Sequence, residues 1–115
     1  MLRGEVRLTE LDPARGSEAA KTRPAVLVSN DRANATAARL GRGTVTVVPL
    51  TSSVARVYPF QTLLPADETG LHRDSKAQAE QVRSVDVARV GPVLGRVPGR
   101  LMAELDEALR LHLQL

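Results

Sequence analysis

The chain of 115 residues contains no cysteine and no tryptophan, one tyrosine, one phenylalanine, two histidines and only two lysines. Each shortage excludes something. Without cysteine there is no disulfide framework and no thiolate metal ligand. His72 and His112 are too far apart to form a ligand-spaced pair. Asp67, Glu68 and Asp74 fall in one loop, where acidic side chains read as solvated rather than as a cation site. No metal and no cofactor is therefore expected. With so few rings, the chain lacks the set of aromatics on which RNA-binding sheets stack bases. If nucleic acid binds, backbone contacts, arginine stacking and polar base contacts must carry it. No apolar run approaches a membrane-spanning helix. The start, "MLRGEVRLTEL", lacks the apolar core of a signal peptide. The expectation is a soluble cytoplasmic protein with no membrane association. No glycine-rich phosphate loop precedes a helix, since "GRG" at 41–43 is only a turn. No serine sits in a nucleophile elbow.

What is present describes an ordinary globular chain. Hydrophobic residues make up 43 % and charged residues 25 %, close to the average for folded domains. The length suits a single domain over 1–115. The net charge is +3, and fourteen of the sixteen basic residues are arginine. A guanidinium presents a planar fork of donors that fits phosphate, which an ammonium cannot reproduce. Composition leaves two readings open: a polyanionic partner, or codon usage that favours arginine.

Periodicity divides the chain into many short strands and a late helix. "GEVRLTEL" alternates as a first strand, and "DPARGSEAAKT" reads as a loop. "PAVLVSN" is a short apolar run, a strand buried on both faces. Asn30 or Asp31 caps a short helix through "RANATAARL", which Gly41 and Gly43 end. "TVTVVPL" is alternating and β-branched. "YPFQTLL" reads as a strand with Pro59 at its start or on an edge, and "KAQAEQVRSV" as one further strand. Near the end, Leu101, Leu105, Ala108 and Leu109 lie on one face of an amphipathic helix, with Met102 and His112 beside the stripe. The fold class expected is α+β and β-dominated: a small antiparallel barrel or sandwich closed by a C-terminal amphipathic helix.

The chemistry left is a metal-free site of Arg, Thr, Ser, Gln and Glu. Such a set can cleave RNA, because RNA carries its own nucleophile, the 2′-OH, beside the scissile phosphate. The protein must orient that group, stabilise the phosphorane charge and help move protons. Paired guanidinium donors suit the charge, and hydroxyl and amide groups hold the substrate in line. Arginine stays protonated, so a carboxylate fits the general-base role better. Arg23 draws attention here. It stands before a buried strand, ahead of Pro24, which biases it toward extended backbone. His72 reads as an exposed loop residue, the one imidazole able to approach such a site.

Several segments, in order, resemble the MazF/PemK-type toxins, ribonuclease partners in type II toxin–antitoxin pairs. They are "RGEV" at 3–6, "LDPARGSEAAKTRPAVLVSND" at 11–31, "VVPLTSS" at 47–53, "YPFQTLL" at 58–64 and "DSKAQAEQVRSVD" at 74–86. The resemblance implies an SH3-like β-barrel that forms a homodimer with RNA grooves at or near the subunit interface. It implies metal-independent, sequence-specific cleavage of single-stranded RNA. A small antitoxin with a disordered C-terminal segment would neutralise the enzyme, and DNA would be met only through that complex. The family's motifs imply catalytic roles for Arg23, Thr51 and Glu18. They imply RNA contacts for Ser17, Lys21, Gln81, Ser75 and Arg83. Arg7 departs from the pattern, since relatives often carry an aromatic residue there. Two other functions remain open: a non-enzymatic toxin of the same fold that inhibits a protein such as DNA gyrase, and a nucleic-acid-binding module without catalysis.

Overall fold

Residues 1–115 are described by a computed structural model of the protein. Seven strands and three α-helices follow one another as β1 (Glu5–Glu10), β2 (Thr22–Leu27), α1 (Asp31–Leu40), β3 (Thr44–Thr51), β4 (Gln61–Leu64), α2 (Ala66–Thr69), β5 (Ser75–Gln78), β6 (Arg83–Asp86), β7 (Val90–Arg96) and α3 (Gly99–Leu113). The strands form one antiparallel sheet in the order β4-β5-β3-β2-β1-β7. β6 pairs with the first half of β3, from Thr44↔Asp86 to Val47↔Arg83. β5 takes the second half of that edge, with Leu50↔Ala77 and Thr51↔Lys76.

Side-chain alternation along a strand sorts the core onto two faces. Val26 of β2 and Val48 and Leu50 of β3 point to the face that α3 covers through Leu101, Met102, Leu105 and Ala108. Ala25 and Leu27, with Val45 and Val47, point the other way, toward Ala37 of α1 and toward Leu11 and Ala19 of the loop before β2. β2 is thus buried on both faces, as its unbroken apolar run predicts. Asn30 caps α1, its Oδ1 accepting from the Ala33 amide at 2.8 Å, and Gly41 ends the helix at φ 64°. Beneath α1, buried Asn34 donates to the Ser29 carbonyl, while the Ser29 hydroxyl oxygen accepts from the Thr46 amide.

Two predicted strands are corrected. "YPFQTLL" becomes extended only at Gln61. Pro59 has no amide to give a ladder, and the Gln61 amide donates back to the Tyr58 carbonyl at 2.9 Å, closing a turn. "KAQAEQVRSV" is not one strand but β5 and β6, separated by a 3-10 turn at Ala79–Gln81. The Val82 amide bonds the Ala79 carbonyl there, which steps the chain from one half of β3 to the other. Neither α2 nor β7 is foreshadowed by the sequence pattern. β7 carries Gly91, Pro92 and Gly95, which argue against a central strand. It is an edge strand pairing only with β1, with irregular register between Val6 and Thr9.

The edge strands β4 and β7 do not pair, so the barrel is open on that side. α2 helps cover the opening: a Cβ added to Gly95 would stand 2.5 Å from the Thr69 carbonyl oxygen. Arg7 works in the fold. Its Nε donates to the Gly91 carbonyl at 2.8 Å and its Nη1 pairs with Glu5 at 2.9 Å, tying β1 to β7. Arg96 approaches the same carboxylate at 3.3 Å.

Candidate active site

The site is assembled where β2 begins and β3 ends. Ala25 pairs with Pro49, and the same register carried two residues further sets Arg23 across from Thr51. Both line one cleft of about 420 Å³, with Pro24, Leu50, Ser52, Leu71, His72, Arg73, Ser75 and Leu94 as its other walls. That volume suits a small polar ligand or a nucleotide-sized group.

Two guanidiniums, an imidazole and hydroxyl side chains line the cleft, and no carboxylate does. Arg23 takes part in none of the chain's ion pairs, so its charge faces the cleft without a partner. Arg23 and Pro24 lie within β2, paired with Thr9 and Leu8 of β1, which keeps the Arg23 backbone on a rigid element. The Thr51 hydroxyl oxygen accepts from the Ser53 amide at 3.2 Å, which orients the side chain and leaves its O–H to donate elsewhere. Ser75, buried at the start of β5, donates to the Arg73 carbonyl at 3.2 Å. Its neighbour Asp74 accepts from the Ala66 amide at 2.8 Å, holding the start of α2. An anion with oxygens on several sides fits such a cleft, and a phosphodiester is such an anion.

The remaining expected residues are not in the cleft walls. They belong to the loop that joins β1 to β2, or hold it. Both ends of the Gln81 amide are bound there: Oε1 accepts from the Ala19 amide at 3.0 Å, and Nε2 donates to the Ser17 carbonyl at 2.9 Å. Arg83 donates to the Leu11 carbonyl at 3.0 Å, and Arg89 to that of Asp12. Lys21 is exposed, adopts φ 66°, and has its amide bonded to Asp12 at 2.9 Å. Gln81 and Arg83 therefore hold the loop in shape, and Ser17 and Lys21 are among its held residues. Glu18 is exposed on this loop, with its backbone amide bonded to the Arg15 carbonyl.

Arg73 and Ser52 are cleft residues to which the sequence reading gave no role, and His72, an exposed loop residue as read, also lines the cleft. The signal was proximity in the chain: His72 and Arg73 immediately precede the "DS" pair, and Ser52 follows Thr51. No group of three or more His, Asp or Glu side chains converges to hold a metal ion.

Residues 2–113 match the family described as PemK-like, MazF-like toxin of type II toxin–antitoxin system. The chain is 64 % identical over 115 residues to Endoribonuclease MazF9 of Mycobacterium tuberculosis, spanning 100 % of this chain and 98 % of the relative. The crystal structure of MazF (Form-I) from Deinococcus radiodurans superposes with a TM-score of 0.81 at 27 % identity, covering 100 % and 97 % of the two chains. A MazE–MazF complex from the same organism (Form-II) gives a TM-score of 0.74 at 25 % identity, covering 100 % and 96 %. Matched over nearly its whole length and by a relative of this identity, the chain belongs to the MazF/PemK family of type II toxin–antitoxin toxins.

Proposed function

We infer that this protein is the toxin of a type II toxin–antitoxin pair, an endoribonuclease that cleaves single-stranded RNA at specific sequences without a metal ion. The observation that carries the reading is the cleft in which Arg23, Arg73, Thr51, Ser52 and Ser75 converge with no carboxylate among them. The substrate's 2′-oxygen attacks the adjacent phosphorus, and the bond to the 5′-oxygen breaks. The products are a 2′,3′-cyclic phosphate and a 5′-hydroxyl, the leaving oxygen taking its proton from water. Arg23, seconded by Arg73, stabilises the charge on the equatorial phosphorane oxygens. The Thr51 O–H donates to one of those oxygens and helps hold the phosphate in line. Glu18, exposed on the loop that Gln81 and Arg83 anchor, takes the 2′-OH proton of RNA bound beside it. Ser17, Lys21 and Ser75 contact the substrate, while Gln81 and Arg83 act through the loop they anchor as well as at the groove.

The protein acts as one domain over 1–115, as a homodimer in the cytoplasm. Its partners are RNA and a cognate antitoxin, and it meets DNA only within the antitoxin complex. The test is cleavage of a long single-stranded RNA in EDTA, with cuts mapped by primer extension. Wild type yields discrete cuts at a shared short motif, and Arg23→Ala yields none while remaining a folded dimer. Persisting cuts in Arg23→Ala overturn the role of Arg23. RNA that is bound but left intact by wild type favours a binding module, and the absence of binding favours a toxin that inhibits a protein.

A further inference from the structure

The only aromatic residues of the chain, Tyr58 and Phe60, belong to neither hydrophobic cluster. Aromatic side chains ordinarily supply large buried areas to a core. Here they lie in the loop between β3 and β4, stacked on each other with ring centroids 5.3 Å apart and planes within 2°. Tyr58 keeps 41 % of its surface exposed.

The stack is held from several sides. The Arg56 guanidinium lies 5.7 Å from the Tyr58 ring centre and donates to its hydroxyl oxygen at 3.2 Å. The Lys76 ammonium, on a side chain that is itself buried, also lies 5.7 Å from that centre. It donates to the Arg56 carbonyl at 2.6 Å. The Tyr58 amide donates to Gln61 Oε1 at 3.2 Å, and Gln61 Nε2 donates to Glu80 at 2.7 Å. Neither Arg56 nor Lys76 forms an ion pair within the chain. A ring pair with Tyr58 exposed and Phe60 half-buried is thus fixed in place by cations that form no ion pair in the chain.

Its position ties it to the cleft. Lys76 is the direct partner of Thr51 across the β3–β5 ladder, so their side chains share one face of the sheet about 5 Å apart at Cβ. The loop that carries the rings starts at Ser52, a cleft wall.

We propose that Tyr58, stacked on Phe60 and held by Lys76, is the platform on which an unpaired RNA base flanking the cleaved phosphate stacks; this rests on the ribonuclease reading. Any base offers a π-face, so stacking secures the strand while polar contacts choose its sequence. Arg56 is placed to stack or to meet the neighbouring phosphate. Lys76 is a positioning residue that acts through Tyr58 and Arg56.

The experiment uses an RNA containing the mapped motif with a 2′-deoxy nucleotide at the cut, so that it binds without being cleaved. 2-Aminopurine is placed in turn at each flanking position. Wild type quenches the probe at one of them. Tyr58→Ala loses that quench and binds about 5- to 150-fold more weakly, and Tyr58→Phe keeps both. Tyr58→Leu, which retains apolar bulk without a π-face, behaves like Tyr58→Ala and decides the matter if the alanine variant does not fold. Lys76→Met weakens the quench with Tyr58 still present, and Lys76→Arg restores it. The inference is overturned if wild type binds this RNA without quenching at any position, or if Tyr58→Leu matches wild type. It is equally overturned if Tyr58→Leu weakens only self-association or antitoxin binding, for then the patch is a protein interface. A wild type that neither binds nor cuts RNA sinks the ribonuclease reading itself, a separate outcome.

Discussion

Arg23 stands out in the sequence because its immediate neighbours constrain it. Proline follows it, and the buried part of β2, residues 25–27, follows the proline. Thr51 needed the register of β2 against β3 to bring it opposite. The cleft walls hold an imidazole but no carboxylate, so a carboxylate acting as general base would have to reach in from another part of the chain. If Glu18 reaches over the cleft as the proton acceptor, Glu18→Gln lowers kcat about 10²- to 10⁴-fold with little change in KM. Single-turnover cleavage checks this, and an unchanged rate would pass the role to another group. Glu5 makes a separate prediction at the same scale. Burial pushes its carboxyl up, but the Leu2 amide that donates to it, with the hydrogen bond and charge of Arg7, outweighs burial and holds the pKa below the ordinary value. A carboxyl depressed in the folded state adds stability at pH values above its unfolded pKa and loses it as pH falls through the folded one. Glu5→Gln should therefore lower Tm at neutral pH, with the gap to wild type narrowing on acidification. A gap that is constant with pH would show that the ionised form adds nothing.

At the scale of elements, strand identity was legible where pattern and punctuation agreed. β3 is alternating and β-branched, and α1 has an Asn before it and a Gly after it. The segment after Ser75 misled, because "KAQAEQVRSV" has no proline or glycine to mark its break. The break comes from β3, whose one edge must serve both β5 and β6. The loop from Leu11 to Lys21 shows the same dependence. Its composition suggests flexibility, yet Gln81, Arg83 and Arg89 hold its backbone from across the fold. Gln81→Leu removes both amide bonds while keeping the bulk of the side chain. It should speed trypsin cleavage at Arg15 and amide exchange in this loop, and cost about 1–3 kcal/mol of global stability. Limited proteolysis beside a denaturant melt separates the local effect from the global one, and unchanged proteolysis would mean the loop is held by its other anchors.

For the molecule as a whole, stability rests on two apolar faces of one sheet, and α3 covers one of them. Leu105 is fully buried in that cluster beside Leu64, at the open side of the barrel. Leu105→Ala should cost about 2–5 kcal/mol in urea unfolding, with the cleft residues unchanged in place. A loss below about 1 kcal/mol would mean that α3 contributes little to closing the barrel. No helix is long and apolar enough to cross a membrane. The exposed leucines Leu111 and Leu113 of the last turn, and Leu115 beyond it, remain outside the core.

Local sequence was enough to set the kind of most elements, the two-faced burial of β2, the amphipathic face of α3 and the placing of Arg23 directly before a proline and a buried apolar run. These follow from periodicity and from backbone restrictions that act within a few residues of each other. Which distant residues share a wall was settled by tertiary packing alone. It brought Arg73 and His72 to Arg23 and Thr51, gave Gln81 to the loop, turned Arg7 into a tie between β1 and β7, and left Tyr58 and Phe60 outside the core. Those placements depend on strand order, register and bends. They arise from the joint satisfaction of hydrogen bonds and burial across the whole sheet, and no short window of sequence carries that information.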